Sequence, residues 1–184
     1  MLFRSYDPRD LVNITDPIKV LLKLGWGDGK YIDASDRTKA ELYRSKLLCG
    51  MVQYYQCPVI YPYLYHEFHR IGPGKTRSLG MWYDEILKQV KTIDVYQPPR
   101  VSMYSRLKME KMFGVSTSQQ LNFENSIPMM KSLNLSSFFN VPLRFEDNHR
   151  RHVLSVVKTS KMTYRQCARM MYPVAESRQW FAIV

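Results

Sequence analysis

The sequence lacks a long uncharged run of apolar residues. The window from Leu47 to Leu64 holds no charge, but Pro58 and Pro62 interrupt it. A helix that crosses a membrane needs about 20 consecutive apolar residues, so we predict no transmembrane helix. The first ten residues also lack an apolar segment and contain Asp7 and Asp10. We therefore expect no secretory signal there.

Cysteine and acidic residues are both scarce. The three cysteines, Cys49, Cys57 and Cys167, form no short pairing motif, which predicts a reducing compartment and no disulfide framework. There are 16 acidic residues against 27 lysines and arginines, and the formal net charge is +11. The surplus is largest after residue 100, where twelve basic residues accompany five acidic ones. This balance favours an anionic partner, such as a nucleic acid or a lipid surface.

The length and the apolar content indicate a folded protein with a core. The chain has 184 residues, of which 45% are hydrophobic, so we expect one domain with extended arms. The predicted fold class is mainly α, a small irregular helical domain with extended aromatic-rich arms. Pro98-Pro99 is the strongest internal boundary. It separates a helical core with an N-terminal arm (1–97) from a helical and irregular wrapping region with a basic C-terminal tract (98–184), which we do not expect to fold independently.

The longest segment with helical periodicity runs from Ser35 to Cys57. We predict a helix of about 20 residues with Asp36 as its N-cap and Pro58 as its end. Apolar residues recur there at spacings of three and four, and further ones widen the stripe. The stripe contains Ala40, Tyr43, Leu47, Met51 and Tyr54. Such an apolar helix must be covered by the remaining chain or by a partner.

Shorter helices are predicted on both sides of this segment. Asp16 precedes Pro17 and suits the N-cap of a helix over 17–24. A second amphipathic helix is expected from Ser78, and a third over 102–113, ended by Gly114. Ser116 and Gln119 have the spacing of a capping box for a fourth helix.

Aromatic residues are concentrated in two segments that read as irregular. Tyr61, Tyr63 and Tyr65 follow Pro58, and the two prolines predict an extended crossing segment. Tyrosines with an apolar ring and a polar hydroxyl suit a half-buried protein interface. The last residues include Trp180 and Phe181, which are costly to expose. We assign these five residues to a partner interface.

The basic tract between Asp147 and Glu176 contains six cations and no acid. If it is one helix, most of these cations lie on one face, opposite an apolar face. The β-branched residues at 153–159 allow a strand followed by a helix instead. Either arrangement suits contact with the phosphates of RNA or of anionic lipid headgroups, and a solvated face is the alternative. The candidate contact residues are Arg150, Arg151, Lys158, Lys161, Arg165 and Arg169.

Several motifs in the sequence partly match those of catalytic or ligand-binding sites. Gly74-Lys75-Thr76 matches the end of a phosphate-binding loop, but His69 occupies the position of the required first glycine. The histidines form two pairs at i, i+3, with arginines nearby that oppose a metal ion. We therefore predict surface or interface histidines, with no catalytic, cofactor or metal residues.

Two further motifs partly match those of known binding or assembly proteins. Residues 107–123 have the outline of a helix-turn-helix, but the second helix has no lysine or arginine and carries Glu124 at its end, which argues against reading DNA. Leu42-Tyr43-Arg44 resembles the tripeptide of the LYR family of small mitochondrial three-helix proteins, which act as subunits and assembly factors of respiratory complexes. The resemblance covers these three residues, and the family has the tripeptide close to its N-terminus, whereas about 40 residues precede it here. We transfer no function from it.

These observations predict a non-catalytic accessory or structural subunit of a large intracellular, mitochondrial assembly. A peripheral respiratory-chain or ATP-synthase complex at the inner membrane is preferred, with other protein subunits as partners. The alternative is a mitochondrial ribosomal protein or another RNA-binding module that contacts rRNA phosphates through residues 150–169. Ribosomal proteins usually have denser Lys and Arg than this chain, which favours the first hypothesis.

Overall fold

A computed structural model describes residues 5–7, 12–24, 31, 33–90, 94, 96–130, 133 and 135–139. This part of the chain is mainly helical, as the sequence predicts. In chain order the elements are β1 (Ser5–Asp7), β2 (Val12–Ile14), α1 (Pro17–Leu24), α2 (Asp36–Gln53), α3 (Ile60–Ile71), α4 (Met81–Gln89), α5 (Met103–Phe113) and α6 (Thr117–Ser126). Two short 3-10 turns follow at Ile127–Met129 and Leu135–Ser137.

The two short strands form an antiparallel pair in the segment predicted as an irregular arm. Ser5 lies opposite Ile14, and Asp7 lies opposite Val12. Val12 and Ile14 are buried in the core, so β2 packs against the helices. Asp16 then caps α1, because its Oδ1 accepts hydrogen bonds from the backbone N–H groups of Ile18 (3.1 Å) and Lys19 (3.3 Å).

The central helix α2 is 18 residues long and begins and ends differently from the prediction. Its N-cap is Ser35, whose hydroxyl accepts a hydrogen bond from the N–H of Thr38, and Asp36 is the first helical residue. A carboxylate at that position still interacts favourably with the positive end of the helix dipole. The helix ends at Gln53 because the chain turns there, and Gln56 has a φ of 55°.

The chain itself covers α2. Its C-terminal half is buried almost all round, and α3 and α4 pack against it. Helix α3 lies close to α2 at Gly50, where a Cβ atom would lie 2.9 Å from Leu64 Cδ1. Glycine suits this position because a larger residue would displace the buried leucine side chain.

The predicted extended segment after Pro58 is wrong, because this segment forms helix α3. Pro62 is the third residue of that helix, so its missing N–H falls among the first-turn groups that have no partner within the helix. Tyr61, Leu64 and Tyr65 then follow helical rather than strand spacing. The second predicted helix also begins later, at Met81 rather than Ser78, with Gly80 as its N-cap.

Buried residues on both sides of Pro98-Pro99 belong to one hydrophobic core. Phe123 and Met109 are fully buried together with residues of α2 and α3. Two hydrogen bonds also cross the boundary, from the N–H of Arg100 to Gln56 Oε1 (2.6 Å) and from the N–H of Val59 to Glu124 Oε1 (2.9 Å). Residues of both predicted regions, 1–97 and 98–184, therefore contribute to the same core.

Candidate interaction surfaces

Buried Arg44 holds the segment that connects α3 to α4. It lies on α2, and its guanidinium donates hydrogen bonds to the carbonyl oxygens of Gly72 (3.2 Å), Lys75 (2.9 Å) and Pro73 (3.4 Å). A Cβ atom at Gly74 would lie 2.6 Å from the guanidinium. Arginine suits this position because its planar group presents several N–H donors in a fixed arrangement.

The next residues of the same segment are attached to α2 as well. Ser45 is fully buried, and its hydroxyl accepts a hydrogen bond from the N–H of Arg77 (2.8 Å). The same hydroxyl donates to the carbonyl oxygen of Arg77 (2.7 Å). Glu41 pairs with both Arg77 (3.2 Å) and Arg37 (3.3 Å). The segment between α3 and α4 has no regular secondary structure, and these contacts fix its path.

The segment leads directly into two exposed apolar residues. Met81 and Trp82 open α4 with exposed fractions of 83% and 56%. Ser78 Oγ donates to Asp84 Oδ2 and accepts from the N–H of Gly80, so the turn before them is fixed. Helical spacing puts Trp82 and Ile86 on one face of α4, one turn apart. Of these two residues Ile86 is buried and Trp82 is exposed.

A second set of exposed apolar residues lies on α5. Ser105, Arg106 and Met109 form its buried side, while Met103, Tyr104 and Leu107 are exposed. Met103 and Leu107 are one turn apart and therefore adjoin each other on the outer face. We call Met103, Tyr104 and Leu107 the α5 strip.

A buried ion pair fixes α5 against α6 and against the start of α3. The guanidinium of Arg106 donates to both oxygens of Glu124, at 2.9 and 2.7 Å. Glu124 Oε1 also accepts a hydrogen bond from the N–H of Val59 (2.9 Å), the residue before α3. Val59 has a φ of 66°, which is strained for a β-branched side chain. The carboxylate thus helps to hold the backbone turn from which α3 begins.

Polar residues of the helix-turn-helix outline have structural roles within the fold. Gln120 is fully buried and donates to Arg106 O (3.0 Å) and Val115 O (2.8 Å). Glu110 caps α6 by accepting from the N–H and the hydroxyl of Thr117. The acidic residue Glu124 is paired with Arg106. These polar groups connect helices.

Of the predicted interface tyrosines, two are enclosed by the chain itself. Tyr61 and Tyr63 are buried, and Tyr65 is part-exposed. Tyr63 packs near Phe123, with ring centroids 6.2 Å apart. Their burial follows from the helix that replaces the expected extended segment, since one side of α3 faces the core. A partner would reach Tyr65 more readily than the other two.

The histidines of α3 lie at or near the surface. His69 is exposed and packs against Tyr65, with ring centroids 4.3 Å apart, and His66 is part-exposed. Within the described ranges no group of three or more His, Cys, Asp or Glu side chains is placed to hold a metal ion. The other predicted pair, His149 and His152, lies outside the described residues.

The described cysteines are free and held as protonated thiols. Burial is the main cause that raises the pKa of Cys49 to about 12, with the charge of Asp84 adding to it. Burial likewise raises the pKa of Cys57 to about 12. A thiol is nucleophilic only as the thiolate, so these two groups are poor nucleophiles at neutral pH.

The pKa of Lys46 is shifted in the opposite direction, downwards. Burial lowers the pKa of its amine to about 8, and Nζ donates to the carbonyl oxygen of Leu24, the last residue of α1 (3.3 Å). A cation at the carboxyl end of a helix is favoured by the helix dipole. The side chain therefore has a structural role as a cap.

The other sequence candidates lie outside the described part of the chain. They comprise the basic tract and the apolar tail, namely Arg150, Arg151, Lys158, Lys161, Arg165, Arg169, Trp180 and Phe181. Their assignment to phosphate contact and to a partner interface stays a prediction. Two features were missed from the sequence: the role of Arg44 and the exposure of Met81 and Trp82. The three glycines between residues 72 and 80 signal a turn-rich connection but not what it contacts.

The fold and surface define a small, mainly helical protein with exposed apolar residues on α4 and α5. None of the helices in the described ranges is both long and apolar enough to span a membrane. No protein-family model, curated protein or solved structure matches this chain.

Proposed function

We propose that this chain is a non-catalytic structural subunit of a large multiprotein assembly and that it binds a neighbouring subunit through Met81 and Trp82. The observation that carries the proposal is the exposure of these adjacent side chains at the end of a segment fastened to the core. Tryptophan and methionine are enriched in protein interfaces, and tryptophan is frequent among the residues that dominate binding energy.

The attachment of the preceding segment supports this assignment. Arg44 and Ser45 fix it from α2, and the ring of Trp82 packs edge-on against Tyr83 at 4.9 Å between centroids. A side chain that is already held in place loses less conformational entropy on binding. Solvent exposure of such a pair has a free-energy cost that a partner would remove.

The cellular setting of the proposal is mitochondrial, with a peripheral respiratory-chain or ATP-synthase complex preferred. It is supported by the positive net charge and by cysteines without a pairing motif. Fractionation of cells that express the tagged chain from its own locus tests this part separately. Recovery outside mitochondria would remove the setting and leave the subunit hypothesis in place.

Native purification followed by sizing tests the subunit hypothesis. The tagged chain should elute in a high-mass fraction together with defined protein partners. The double variant Met81→Ser, Trp82→Ala should shift the chain to the free fraction, because its anchor is lost. Met129→Ser is the matched control, since Met129 is also strongly exposed (87%) but lies in the turn after α6. A wild-type chain that elutes alone as a monomer would refute the hypothesis.

An RNA-binding function is the second candidate, favoured by the run of six cations without an acid between Asp147 and Glu176. A filter-binding salt titration with rRNA tests it. Affinity should fall steeply with salt, because neutralised phosphates release counterions. The variant Arg165→Gln, Arg169→Gln should show a shallower slope, and absence of binding at low salt would eliminate this function.

A further inference from the structure

The α5 strip has the features of a preformed binding surface. Met103 and Leu107 are exposed at 59% and 55% and stand one above the other on the helix. The exposed side of neighbouring α6 is more polar: Ser118, Asn122 and Asn125 are exposed there, and Leu121 is its one large apolar residue with an exposed fraction of 39%. The larger group of exposed apolar side chains in this helical pair therefore lies on α5.

The helix that carries the strip is fixed at both ends and on its inner side. Ser102 caps the start by accepting from the N–H of Ser105 (3.1 Å), and Gly114 ends the helix in the left-handed conformation. On the inner side Met109 is fully buried and Arg106 is paired with Glu124. A partner can therefore bind this helix without first ordering it.

Exposed cations flank the strip along the helix axis. Arg100 precedes α5, and Lys111 lies in its last turn. The acidic groups in this part of α5 and α6 are already used, since Glu110 caps α6 and Glu124 binds Arg106. A second copy of the chain would bring the same cations and a net charge of +11 to the contact. Charge complementarity therefore favours a different, acidic partner.

We propose that the α5 strip binds an amphipathic helix of another protein, with the apolar face of that helix over Met103, Tyr104 and Leu107 and its acidic residues near Arg100 and Lys111. A helix is the matching shape because the side-chain ridges of one helix pack into the grooves of another. This inference rests on the proposed role as an assembly subunit and adds a second surface with a partner of defined chemistry.

Site-specific photo-crosslinking in cells that naturally make the chain tests the proposal. A photoreactive amino acid at position 107 of the full chain should crosslink to an acidic amphipathic helix of another protein, identified by peptide mass spectrometry. The matched control places the same group at Asn122, on the polar face of α6, and should not label that peptide. A crosslink to a second copy, to residues 141–184 of this chain, to RNA or to lipid would overturn the proposal, and so would absence of a crosslink.

The binding energetics give a second readout with the identified peptide as a synthetic probe. Leu107→Ala should weaken binding about tenfold, and Lys111→Glu should weaken it and reduce its salt dependence. Leu121→Ala, on α6, should change affinity by less than about twofold, and equal effects at 107 and 121 would contradict the proposal. A parallel crosslink from position 82 separates the two hypotheses. A partner captured at 82 but not at 107 retains the subunit role and rejects the α5 site.

Discussion

Arg106 and Glu124 form a two-point ion pair between α5 and α6, with side-chain exposures of only 10% and 12%. The same carboxylate accepts the N–H of Val59 at the start of α3. One carboxylate therefore connects three helices. A buried pair of this kind is costly to break because the remaining charge has no alternative partner or water shell.

Glu124→Gln should destabilise the protein by about 3 kcal/mol, because it leaves the Arg106 guanidinium buried without a counter-charge. The loss is measured by urea unfolding, with circular dichroism as the signal. Glu85→Gln is the control, since the Glu85–Lys88 pair is largely exposed and should contribute less than about 1 kcal/mol. Similar losses for both variants would show that the buried pair has no special role.

Gly74→Ala should destabilise the wild-type protein by about 1–2 kcal/mol, because the new methyl group would overlap the fixed Arg44 guanidinium. Arg44→Met alone should cost about 2 kcal/mol through the loss of hydrogen bonds to three carbonyl groups. In the Arg44→Met background, Gly74→Ala should be nearly neutral. A double-mutant cycle measures this coupling, and strict additivity would contradict the contact.

Gly114→Ala should destabilise by about 1 kcal/mol through backbone strain alone. Gly114 has a φ of 68°, and an added Cβ would meet no atom within 4 Å. Gly114→Asn should cost less, since asparagine tolerates the left-handed conformation better. Thermal unfolding of the two variants checks the order. Equal losses would indicate a steric cause instead.

The stability of the protein should fall as the pH rises from 9 towards 12, in part because of Cys57. Burial raises the pKa of this thiol to about 12, so the folded state keeps a proton that the unfolded state loses above its ordinary pKa near 9. The contribution to the slope is at most about 1.4 kcal/mol per pH unit. Cys57→Ala removes it, so the stability gap between wild type and variant should narrow above pH 9. A gap that stays constant from pH 7 to 11 would contradict the burial of this thiol.

Three local capping features could be predicted from the sequence. Asp16 caps α1, Gly114 ends α5, and the capping box of Ser116 and Gln119 is present, with both of its hydrogen bonds. These features depend on atoms within a few residues of each other. Their geometry is therefore encoded where the residues occur.

The sequence predicts extended chain where α3 forms, because Pro58 and Pro62 disfavour a helix there. Proline excludes a helix interior but is compatible with the first turn, and the sequence alone did not locate that turn. Packing of α3 against α2 resolves the choice, because helical spacing places Tyr61 and Leu64 in the core together. The burial of these residues also changes which tyrosines a partner could reach.

The candidate surfaces depend still more on the tertiary structure. Periodicity groups Trp82 with Ile86 on one face of its helix, yet only Ile86 is buried where α4 packs against α2. The segment before α4 is held on α2 by hydrogen bonds from Arg44. That contact joins residues about 30 positions apart in the chain. Hydrophobic pattern gives the width of an apolar face but not which part of it the neighbouring helices cover.

By itself the sequence determined the mainly helical class, the caps at the starts of α1 and α6 and the positive charge, because composition and short-range hydrogen bonding act within a few residues. Only the tertiary structure decided that Tyr61 is enclosed while Trp82 is exposed. It also decided that Glu124 is the partner of Arg106. The physical reason is that burial and ion pairing depend on which distant segments meet, and such meetings are fixed when the whole core packs.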